Sequence, residues 1–150
     1  MSDMLKMQLT DTSARILADM AKYPEQVERE VEKELDAIGL DIRNNIMLKM
    51  SKTTRGGELQ RRGGGKSGPP RWVRASLPGK PPAPDQSNLI NSFEIYRVGG
   101  VLEVGTNILY AKFLEKGTRK MAARPFLQAG MGGVNVENLI RDAISRGFAQ

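Results

Sequence analysis

Seven apolar residues, Val27, Val31, Leu35, Ile38, Ile42, Ile46 and Met50, recur at intervals of four, four, three, four, four and four. An α-helix completes a turn in about 3.6 residues, so this spacing stacks all seven side chains along one face. Pro24 suits the first turn of such a helix, where a missing amide proton is no loss. Glu25, Glu28, Glu30, Glu32 and Glu34 crowd the amino half while Lys49 and Lys52 close the carboxyl end, which complements the helix dipole. The spacing therefore predicts one long helix from Pro24 to Met50, with an apolar stripe against a core and a charged, solvated face opposite. A stripe of this length needs a second layer to cover it.

The candidates for that layer are short. Leu5, Met7 and Leu9 alternate with polar neighbours, which suits an edge strand over residues 4–10 with one buried face. Asp11, Thr12 and Ser13 offer N-cap oxygens ahead of Ile16, Leu17 and Met20, predicting a short helix that ends near Tyr23. Phe93, Ile95 and Tyr96 to Val98 lead into Gly99-Gly100, and Val101, Leu102 and Val104 lead away, the pattern of a hairpin on a two-glycine turn. Tyr110, Phe113 and Leu114 fall at helical spacing, with Gly117 placed to end that helix in a left-handed conformation. Arg124 precedes Pro125 and is pushed towards extended backbone. Val136, Leu139, Ile140, Ala143 and Ile144 mark a last helix over 135–147, which can pack on the long helix or on a neighbour. The expected fold is α+β in one domain: a small, mainly antiparallel sheet packed against the long helix, with a C-terminal helix at its edge.

Residues 51–88 break the pattern. They hold seven of the sixteen glycines and six of the eight prolines, show no apolar period, and read as a long basic arm or loop without a packed element. A stretch of this length inside a small domain is commonly a contact element. Its eight basic residues, Lys52, Arg55, Arg61, Arg62, Lys66, Arg71, Arg74 and Lys80, face only Glu58 and Asp85, so it carries the whole net charge of +6. A neutral body with one positive arm differs from a uniformly basic nucleic-acid binder: the arm is what would meet a polyanion. Trp72, the single tryptophan, sits between Arg71 and Arg74 and could stack on an exposed base. Nonspecific contact with nucleic acid and contact with an acidic protein neighbour both remain open, because charge alone does not separate them.

Catalytic chemistry finds few tools. The chain has no cysteine and no histidine, which removes disulfides, thiolate nucleophiles, Cys/His zinc sites and imidazole acid–base work. Serine and threonine have no histidine to activate them, and the paired carboxylates of the long helix lie in its charged half, away from any apolar pocket. RGGGKS at 62–67 invites a phosphate-loop reading, but Gln60 stands where that motif needs a glycine, and Pro69-Pro70 follow where a helix should begin. No enzyme, cofactor or metal site is expected. Asp3, Lys6 and Asp11 interrupt any apolar run at the start, so neither a signal peptide nor a membrane span is expected, and a cytoplasmic setting is.

The segment YAKFLEKGTRKMAARPFL at 110–127 resembles the signature of siphophage tail-completion and head-tail joining proteins, the neck and minor tail components. Tyr110-Ala111, Leu114-Glu115, Gly117-Thr118, Met121, Ala123-Arg124 and Pro125-Phe126-Leu127 fall in its order, after Val104-Gly105-Thr106-Asn107. Gly79, Pro81, Pro82 and Leu89 to Ser92 resemble the family's proline-rich entry to its first sheet strand, whereas Asn88 stands where such proteins often carry a glycine. The resemblance implies a non-enzymatic virion protein, assembled in the host cytoplasm. It would form a homo-oligomeric ring around a DNA channel, of six copies first and twelve next, and join other neck and tail proteins. It places the assembly surface at Glu115, Gly117, Thr118, Met121, Arg124, Pro125 and Phe126. Tyr110, Phe113 and Leu114 are expected to anchor the short helix in the core, 118–124 to project, and Glu115 to pair with Arg124 across the reversal. Arg55, Arg61, Arg62, Lys66, Arg71, Trp72, Arg74 and Lys80 are the expected contacts to DNA or a partner. The rival reading is a nonspecific nucleic-acid-binding accessory protein acting through that arm.

Overall fold

A computed structural model of the chain describes residues 5–8, 19, 22–64, 66, 68–85, 87–98 and 101–149. The fold is α+β. The long helix α1 runs from Glu25 to Ser51, and its buried residues include all seven members of the apolar stripe. Six of those seven are 0–1% exposed, so the stripe is the spine of the core.

The stripe is covered from two sides. On one, β1 (Leu5–Gln8), β4 (Phe93–Val98) and β5 (Val101–Thr106) form an antiparallel sheet in the order β1-β5-β4, with β1 at an edge as its alternation predicts. The register pairs Phe93 with Thr106 and Ile95 with Val104, and Leu102 lies on the same face; Phe93, Leu102, Val104 and Thr106 are buried there. Glu94, Tyr96 and Val101 lie on the other face and are exposed, the one-sided burial common in antiparallel sheets. The hairpin expected at 93–104 is present; its glycine pair lies outside the described residues, as does nearly all of the short helix expected before Tyr23.

On the other side, the C-terminal helices pack on α1. After α2 (Ala111–Lys116), α3 spans Leu127–Met131 and α4 spans Val136–Phe148, with Val136, Ile140 and Ala143 buried. Asn135 caps α4, its Oδ1 accepting from the Asn138 amide at 3.1 Å. Gly147 lets α4 approach α1 closely: a Cβ there would lie 2.5 Å from the Val27 Cα. The acidic half of α1 is less purely solvated than its sequence suggests. Arg146 of α4 donates to Glu34 at 2.5 Å and approaches Glu30 at 3.9 Å, while Arg97 of β4 lies 3.5 Å from Glu32 and 3.8 Å from Asp36.

Residues 51–88 are not loop throughout, which corrects the expectation that they hold no packed element. β2 (Leu59–Arg62) and β3 (Arg71–Arg74) pair antiparallel as a separate two-stranded ribbon. Alternation did not reveal it, because Leu59 and Trp72 lie on the exposed face together with Arg61 and Arg74.

Candidate functional site

Residues 110–127 fold into a tightly bonded corner. Gly117 ends α2 with φ 75° and ψ 178°, and a Cβ there would sit 2.8 Å from the Ala123 amide nitrogen and 2.9 Å from the Met121 carbonyl oxygen. Positive φ and this close approach restrict the position to glycine, although its ψ is extended and not left-handed helical. Thr118 and Met121 then exchange backbone hydrogen bonds of 2.8 and 3.2 Å, leaving Arg119 and Lys120 exposed at the tip. The returning chain is anchored twice: the Arg124 amide donates to the Leu114 carbonyl at 2.7 Å, and the Gly79 amide donates to the Ala123 carbonyl at 2.9 Å.

Glu115 and Arg124 do not pair, contrary to expectation. One Glu115 carboxylate oxygen accepts from the Phe126 and Leu127 amides at 2.7 and 3.1 Å, and the other accepts from Gln128 at 3.3 Å. These amides open α3 and have no carbonyl of their own helix to bond, so they take the carboxylate from Arg124. Arg124 turns the other way and donates through Nε to the Ser76 carbonyl at 3.3 Å.

Two further expectations at this corner are corrected. Phe126 is 0% exposed and stacks edge-on against Phe93 with ring centroids 5.6 Å apart, and Arg124 is 7% exposed. Neither presents a surface; both, with half-buried Pro125, fix the corner from inside. Conversely, Tyr110 and Phe113 do not anchor α2 in the core, since they are 47% and 48% exposed. Ala111 and Leu114 occupy the inward row of that helix, and Tyr110 and Phe113, also three apart, fall on the adjacent outward row. They border a groove of about 340 Å³ whose other wall includes Pro82, Pro84, Leu89 and Ile90, and Leu109 beside them in sequence is 68% exposed. Partial burial raises the Tyr110 hydroxyl above the ordinary phenol range, with the nearby Arg62 charge pulling it down and Asp85 pushing it up.

The eight residues expected to meet DNA or a partner divide into groups. Arg71 pairs with Asp85 at 2.7 Å, while Arg55 donates to the Pro84 carbonyl and stands 4.0 Å from the same carboxylate. Arg61, Lys66 and Lys80 are exposed and have no carboxylate partner among the described residues. Trp72 is 67% exposed and lies directly across the ribbon from Arg61. Arg62, which donates to the Gln60 side chain at 3.4 Å, and Arg74, which donates to the Gly57 carbonyl at 3.3 Å, border a second recess of about 40 Å³ together with Arg55, Ser76, Asp85 and Arg124. The structure thus joins Arg124, read from sequence as an assembly residue, to three arginines of the basic stretch. Ser76 was missed, since nothing in its sequence neighbourhood marks a buried hydroxyl.

Among the described residues no three His, Cys, Asp or Glu side chains gather as a metal site, and no helix is long and apolar enough to cross a membrane. The arrangement offers an exposed aromatic pair on a bonded corner and a recess bordered by four arginines, features suited to binding. No family model, curated protein or solved structure matches the chain.

Proposed function

We propose that this chain is a structural component of a tailed-phage particle. In this reading it completes the tail or joins it to the head, as a homo-oligomeric ring of six copies around the DNA channel. It works by complementary surfaces and catalyses no reaction. The observation that carries the reading is the residue order of 110–127 folded as a stiff corner beside exposed Leu109, Tyr110 and Phe113. Exposed aromatic and aliphatic side chains grouped on one stretch of surface are removed from water when another copy covers them, and the contact is then repeatable around a ring. Glu115, Gly117, Arg124, Pro125 and Phe126 serve by holding the corner's shape, while Thr118 and Met121 shape its tip. The basic ribbon supports the same reading, as a surface for channel DNA or a neighbouring neck protein.

The test is made on particles. Disrupting the gene in its source phage is expected to leave filled heads and finished tail tubes unjoined in electron micrographs, with joining restored by the full chain supplied in trans. Joined, infectious particles formed without the chain would overturn the proposal.

A further inference from the structure

Arg124 is 7% exposed, and among the described residues its guanidinium has one hydrogen bond, from Nε to the Ser76 carbonyl, and no carboxylate partner. A guanidinium carries five N–H donors and a permanent charge, so burying one without a counter-charge is costly. Beside it Ser76 is 2% exposed, and its Oγ has no hydrogen-bond partner among the described residues. Both border the recess of about 40 Å³, which exceeds the roughly 10–15 Å³ that one water molecule needs by the same kind of measure. Arg55, Arg62 and Arg74 border it as well, against the single carboxylate of Asp85, which already bonds Arg71. Four arginines and an unpartnered hydroxyl therefore border one small space.

We propose that this recess binds a phosphate group. Arg124 and Ser76 within bring more N–H and O–H donors than the two oxygens of a carboxylate accept, and the three arginines around add positive charge. A phosphate offers more oxygens and up to two charges, and arginine matches its geometry with paired N–H donors. The phosphate comes either from free solution or from a nucleic-acid backbone. The exposed ribbon face with Arg61 and Trp72 extends the positive surface away from the recess and accommodates the second source. This seat is independent of ring formation and goes beyond the assembly reading.

Inorganic phosphate titrated into the full chain by calorimetry, at constant ionic strength and with acetate as the control anion, tests the proposal. Saturable binding is expected, weakened about tenfold in Arg62→Ala and in Arg74→Ala, a change of about 1.4 kcal/mol each. These side chains are exposed, so both variants are expected to keep the parent's melting temperature; Ser76→Ala, which removes one neutral donor, is expected to weaken binding less. A duplex oligonucleotide titrated in parallel separates the sources. Loss of its binding in the same two variants assigns the seat to the nucleic-acid backbone, and phosphate binding without duplex binding assigns it to free phosphate. Acetate binding as tightly as phosphate, unchanged phosphate affinity in both arginine variants, or no saturable binding would each overturn the proposal.

Discussion

Glu115 accepts three amide protons at the start of α3, so its charge is spread over backbone groups that have no other partner. Hydrogen bonds to a charged group contribute about 1.5–3 kcal/mol, and amides left without an acceptor add to the loss. Glu115→Ala is therefore expected to lower stability in urea by about 2–3 kcal/mol, and Glu115→Gln, which keeps the shape and one carbonyl oxygen, by about 1 kcal/mol. A glutamine variant as stable as the parent would show that the charge is irrelevant here. The sequence exposed both Glu115 and Arg124 as members of one pattern. It paired them wrongly because opposite charges are visible in a sequence, whereas the amides of Phe126 to Gln128 and the Ser76 carbonyl, the groups that took them, are present at every position and carry no mark.

Among the elements, α1 was legible in full because seven spaced apolar residues repeat one signal over the whole helix. The sheet hairpin was legible for a similar reason, its alternation being interrupted by a glycine pair. The ribbon of β2 and β3 was hidden: each strand has four residues, and its largest apolar members, Leu59 and Trp72, lie on the face turned to solvent. The packing of α4 on α1 was left open between intramolecular and intermolecular partners, and Gly147 decides it by allowing the Val27 backbone to approach. Gly→Ala inside a helix ordinarily stabilises by about 1 kcal/mol. Here the added carbon meets backbone, so Gly147→Ala is expected to destabilise by about 1–3 kcal/mol. A rise in the urea midpoint would mean that the two helices are not in contact at this point.

At the scale of the molecule, one half of the chemistry is ordinary core and the other half is surface with unused binding capacity. The core is closed by α1, the sheet and the last two helices, and it leaves Leu109, Tyr110 and Phe113 outside beside a corner stiffened by four backbone hydrogen bonds. If that row is an interface, changing it alters assembly and spares the fold. Sedimentation velocity of the parent chain and of Phe113→Ser across a concentration series reads this directly. The parent is expected to sediment as a closed oligomer of six copies, and Phe113→Ser to sediment as a monomer with an unchanged far-ultraviolet circular dichroism spectrum. A parent chain that remains monomeric at every concentration, or a variant that assembles as the parent does, would contradict the account.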